Sequence, residues 1–150
     1  MRSLKLLLIL TAFGLLTGCG SSQLPESQVA SSEQSVAAAV TAFTAGDATK
    51  AEQAATQAID GGGLPVDLFV QALMVRAASR GVLGSFDTAL ADLDQAAQGA
   101  GEMDKVHALK SLVFSAKGDS QAAAQELAKA KELNKTLKLP AELKKWDFSK

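Results

Sequence analysis

The chain has no tyrosine and only one tryptophan, one cysteine and one histidine in 150 residues. A lone cysteine, Cys19, excludes an intramolecular disulfide. A lone histidine, His107, excludes any metal site built on several imidazoles. No long membrane-spanning run stands out either. The apolar stretch at residues 6–16 is roughly half of the ~20 residues that a helix needs to cross a bilayer. A phosphate-cradling loop is also missing, because Gly61-Gly62-Gly63 has no Lys-Ser/Thr after it and no strand before it. Strand-like alternation is absent from residues 33–134; alanine is the commonest residue there and β-branched residues are scattered.

What the chain does contain begins with Arg2 and Lys5, the apolar residues 6–16, and then Leu16-Thr17-Gly18-Cys19. The length of the apolar run suits the core of an export signal rather than a spanning helix. The whole segment resembles a bacterial lipoprotein signal peptide. The resemblance implies that Cys19 carries a diacylglyceryl group and becomes the mature N-terminus, with residues 1–18 removed. Gly20 stands where Asp would resemble an inner-membrane retention signal, so in a Gram-negative cell the expected address is the periplasmic side of the outer membrane. Residues 19–32 are rich in Ser, Gln and Pro and poor in large apolar side chains, which predicts a flexible tether.

Without the leader, Arg2 and Lys5 are lost and 13 basic face 16 acidic side chains, a formal charge of −3. That balance argues against a nucleic-acid partner, which requires a clustered basic surface. The charge is nevertheless uneven. From residue 129 to 150 there are seven lysines against Glu132, Glu142 and Asp147. Two readings stand side by side: cations favoured at a helix C-terminus, or a basic patch for an anionic surface.

Residues 33–134 read as helical throughout, punctuated by Gly46-Asp47, Gly84-Ser85 and Gly118-Asp119. Glycine adopts the left-handed conformation that stops a helix, and Asp or Ser can cap the amides of the next one. Each pair therefore predicts a tight turn between two helices. The glycines are 38 and then 34 residues apart. Aligning them brings small residues into register: Ala39, Ala77 and Ser111 before the turn, Ala51, Ala89 and Ala123 after it, then Ala58, Ala96 and Ala130. Between the alanines of the second helix stand Ala55, Leu93 and Leu127.

This punctuation and register resemble tetratricopeptide (TPR) repeats. The resemblance implies an all-α fold, a right-handed superhelical stack of about three helix-turn-helix repeats. The absence of tyrosine, and Ala48 where the second junction has Phe86, are departures from the family pattern. Pro140 suits a helix start, and Leu143 and Trp146 are three apart, so a short capping helix near residues 141–146 is expected to fold over the last pair. Residues 135–150 form this cap or tail. The alternative is a free tail whose exposed Trp146 binds a partner.

Catalytic chemistry finds little footing: Cys19 is consumed by lipid, and His107 falls within a predicted helix. Asp92 with Asp94, and Glu102 with Asp104, are spaced by two, which points them to different helix faces; they read as solvated. No enzyme, cofactor or metal is expected. The repeat register instead places Val36, Val40 and Phe43, then Gln71, Met74 and Ala78, then Lys105, Ala108 and Leu112 on the concave face of the stack, as a peptide-binding surface. The expected function is a lipid-anchored scaffold or adaptor for envelope proteins, similar to pilotins and assembly factors. A self-associating structural lipoprotein is the alternative.

Overall fold

The computed structural model describes residues 25–137, and within them the chain is all-α. Six helices follow in order: α1 (Glu26–Ala45), α2 (Ala48–Gly61), α3 (Val66–Val82), α4 (Phe86–Ala96), α5 (Met103–Lys117) and α6 (Ser120–Leu133). The expected signal peptide, the lipidation site Cys19 and the expected capping helix at residues 141–146 lie outside the described residues. Among the described residues no helix is long and apolar enough to cross a membrane.

The three predicted turns share one closure. Gly46, Gly84 and Gly118 hold φ of 91°, 82° and 88°, a left-handed conformation that costs a side-chain-bearing residue about 1–2 kcal/mol. The amide after each glycine donates back across the last turn of the helix. Asp47 N–H reaches Ala42 O at 2.9 Å, Ser85 N–H reaches Arg80 O at 2.8 Å, and Asp119 N–H reaches Phe114 O at 2.9 Å. Orphan carbonyls at the helix end are satisfied this way. Asp47 and Asp119 then cap the next helix, accepting from Lys50 N–H and Ala122 N–H at 3.0 Å. Ser85 differs from the expectation, because its side chain makes no capping bond.

These turns fold the chain into the hairpins α1/α2, α3/α4 and α5/α6. The first helices also pack side by side, α1 on α3 and α3 on α5, while α2 leans on α3 and α4 on α5. Every aligned small residue is buried: Ala39, Ala77 and Ser111, Ala51, Ala89 and Ala123, and Ala58, Ala96 and Ala130. They line the seams where backbones approach. Bulk comes from fewer positions. Phe43, Leu93, Val106, Leu109 and Val113, from α1, α4 and α5, meet Ala51 of α2 and Ala77 and Ala78 of α3 in one central cluster. Val36 with Ala58 and Ala72, and Val70 with Leu73 and Ala96, form flanking clusters. Leu93 is fully buried but Leu127 is only half-buried, since α6 packs closely on α5 alone among the described helices.

The expected tether at residues 19–32 is corrected from residue 26 onward, where α1 is already helical. Ser32 is buried against Gly61, and Gln28 Nε2 donates to Gly61 O at 2.9 Å. A Cβ on Gly61 would collide with Ser32 Oγ. The segment orders through a close serine–glycine approach and a polar clamp, so its low apolar content was no guide.

Gly118→Ala should lower unfolding free energy by about 1–2 kcal/mol in urea titrations, the cost of a side chain in the left-handed region. Gly101→Ala, where a Cβ meets nothing and φ is ordinary, is the control and should change little. Equal effects at both positions would contradict the shared turn mechanism.

Candidate functional site

The first helices line a groove of about 560 Å³. On α3 the lining residues Gln71, Met74, Val75 and Ala78 recur at intervals of three or four, so one helical face supplies them. Val40 and Phe43 enter from α1, and Lys105 and Leu109 from α5. Phe43 and Ala78 are buried at its floor, whereas Gln71 is exposed at its rim. The walls are largely aliphatic. Ionic groups gather at one end, lined by Asp67 in the first turn of α3 and by Glu102 and Lys105 at the start of α5. Lys105 Nζ pairs with Glu102 Oε2 at 2.6 Å. A recess of about 510 Å³ adjoins that end, formed by Val66, Asp67, Val70, Met74 and the loop from Gly99 to Glu102. Close packing of that loop on α3 explains its glycine: a Cβ on Gly99 would stand 3.0 Å from Val66 Cγ1 and 3.2 Å from Val70 Cγ2.

Six of the expected site residues thus line one groove: Val40, Phe43, Gln71, Met74, Ala78 and Lys105. Val36, Ala108 and Leu112 do not. Val36 is core against Ala58 and Ala72. Ala108 is buried outside the groove, and Leu112 packs on the central cluster. The row of α5 that meets the groove is Glu102, Lys105 and Leu109, so Leu109 takes the place expected of Ala108. Its signal in the sequence was the step of four from Lys105, which keeps both on one face.

Behind the groove runs an ion-pair network. Arg76 and Arg80 each follow a groove residue, Met74 and Ala78, by two positions, a rotation of about 200° around α3. They meet Asp92 of α4, which is only 4% exposed. Arg76 binds it through both ends of a fork, Nε to Oδ2 at 2.9 Å and Nη2 to Oδ1 at 2.7 Å. Arg80 donates Nη1 to Oδ2 at 2.8 Å and Nε to Glu52 Oε1 of α2 at 2.8 Å. One buried carboxylate therefore ties α3 to α4, and its second arginine extends the tie to α2. The solvated reading of Asp92 is corrected: no local spacing announces an arginine 16 residues away. Asp94, on another face, is exposed and pairs with Lys110.

The last hairpin has its own ties. His107 Nδ1 lies 2.6 Å from Glu126 Oε2, and Lys129 Nζ lies 2.7 Å from Oε1. Burial opposes ionisation of Glu126, yet hydrogen bonds from Lys129 and His107 hold its pKa below the ordinary value. This tie stabilises the fold above the usual glutamate range and fades as pH falls through the lowered value. At the open end of the hairpin, one turn of α5 before His107, Asn134 Nδ2 donates to Asp104 Oδ2 at 2.8 Å, which lowers the pKa of Asp104.

Chemically, the groove offers apolar contact along its length and charge at one end. Among the described residues, no three His, Cys, Asp or Glu side chains gather as a metal site. No protein-family model, no curated protein and no solved structure matches the chain.

Removing one member of a buried pair leaves its partner's charge stranded, at a cost of about 3–5 kcal/mol. Asp92→Ala should therefore destabilise by that amount in chemical denaturation. Asp94→Ala, losing a pair exposed on its acidic side, should stay within about 1 kcal/mol of the parent. A small loss at Asp92 would show that the arginines find other partners.

Proposed function

We propose that this chain is a lipid-anchored, non-catalytic scaffold of the bacterial cell envelope, which holds or positions an envelope protein through the groove. In this reading the hairpins are TPR-like repeats in a right-handed superhelical stack. Cys19 carries the lipid at the periplasmic face of the outer membrane. The observation that carries the reading is the apolar groove along α1, α3 and α5. It coincides with most of the surface on which a TPR-like stack would take a peptide. The lipoprotein-like leader ending at Cys19 supplies the location.

A groove this short gives few anchoring contacts, so an isolated domain would bind weakly. Confinement by the lipid raises the effective concentration of domain and target on one surface. Anchor and groove are then two halves of one device.

A photo-crosslinking side chain placed at Gln71, exposed on the groove rim, tests this in intact cells. The same probe at Gln121, exposed on α6 away from the groove, is the control. The scaffold reading predicts one discrete protein adduct from position 71, none from 121, and loss of the adduct together with cellular function in Cys19→Ser, whose isolated domain stays folded. Normal function from a soluble periplasmic version would show the anchor to be incidental. An absent adduct at position 71 would contradict the groove.

A further inference from the structure

We infer that residues 138–150 of this chain dock in its own groove, with Leu143 and Trp146 on the apolar floor and Lys144 and Lys145 towards Asp67. The inference takes the groove to be the recognition site proposed above and adds a built-in competitor for it.

The exit of the chain is the first reason. After α6 the backbone is held at the start of α5, where Asn134 Nδ2 bonds Asp104 Oδ2 at 2.8 Å. Glu102 and Lys105, the groove's polar end, belong to that same turn. Whatever follows residue 137 therefore starts beside the groove mouth.

Length is the second. From Asp67 to Ala78 the groove runs about 16 Å along α3 at 1.5 Å per residue. Thirteen residues span roughly 20 Å as a helix and over 40 Å when extended. The segment reaches the far end in either form.

Charge and apolar content complete the case. Residues 138–150 carry Lys138, Lys144, Lys145 and Lys150 against Glu142 and Asp147. Asp67 stands exposed at the groove's acidic end and forms no ion pair among the described residues. Among the described residues Glu102 pairs only with Lys105, itself a rim residue. Between and beside those lysines stand Leu143, Trp146 and Phe148, apolar groups for a groove walled by Val40, Leu68, Met74 and Leu109. Val66, 65% exposed at the adjoining recess, extends the apolar surface on offer. An external partner would then bind by displacing this segment, so the lysine-rich end of the chain sets the threshold for recognition.

Trp146 is the chain's only tryptophan, so its fluorescence reports on this segment alone. In the purified full chain, the emission should be blue-shifted and shielded from acrylamide. Asp67→Lys and Gln71→Lys, both at exposed positions, should red-shift it and raise quenching severalfold while the circular dichroism of the helices is unchanged. Adding Lys144→Glu and Lys145→Glu to Asp67→Lys should restore the shielding. Free quenching in the unmodified chain would overturn the inference. So would shielding that ignores both groove substitutions but is lost in Leu127→Asp, which would place the segment on α6. Shielding that fades on dilution would instead show docking onto a second copy, and would overturn the intramolecular form. No partner is present in this experiment, so its failure leaves the scaffold reading to be judged by crosslinking.

Discussion

Close backbone approach at small side chains is the constraint on which this fold depends. A buried alanine or serine recurs at matching positions of every hairpin: Ala39, Ala77 and Ser111 in the first helices, Ala51, Ala89 and Ala123 in the second. Protein interiors are packed at crystal-like density, so such a seam has no room for a larger group. An alanine seam also contributes little hydrophobic free energy by area, at about 25 cal/mol per Å². Adhesion must come from elsewhere. Leu73, Leu93, Val106 and Val113 supply buried bulk, and the Arg76–Asp92–Arg80–Glu52 network fixes three helices in one relative position.

The two faces of α3 show how that division serves the site. One face carries the arginines that lock α3 to its neighbours behind. The other carries Gln71, Met74 and Ala78 into the groove. Because α3 is gripped from the rear by α2 and α4, its front is available without being the main source of stability. The polar end of the groove follows from the same arrangement. Helix N-termini there gather Asp67 and Glu102, in the region where carboxylates are favoured by the helix dipole.

Local signals in the sequence were legible and non-local ones were not. Glycine followed by a capping residue is a local code, and all three turns lie where Gly46, Gly84 and Gly118 placed them. The small-residue register is nearly as local, since it needs only helical spacing from those glycines. Most of the groove-lining residues named beforehand came instead from the TPR resemblance, which implied a concave face on the first helices. The misses share a physical cause. Asp92 is buried because arginines from another helix neutralise it, a pairing that depends on the packed hairpins. The first turns of α1 order because Ser32 meets Gly61 across 29 residues. On α5 Lys105 lines the groove but the next residue to do so is Leu109 and not Ala108, because helix rotation is set by neighbours and not by spacing alone.

The central claim is that small side chains at the seams set the helix spacing, and through it the groove. Urea denaturation of Ala77→Leu tests it most directly, because Ala77 is fully buried in the central cluster and lines no part of the groove. Overpacking at a tight seam should cost about 1–3 kcal/mol, despite the larger apolar side chain and leucine's good helix propensity. An unchanged or raised stability would show that the seam has spare volume and that something other than small residues sets the spacing.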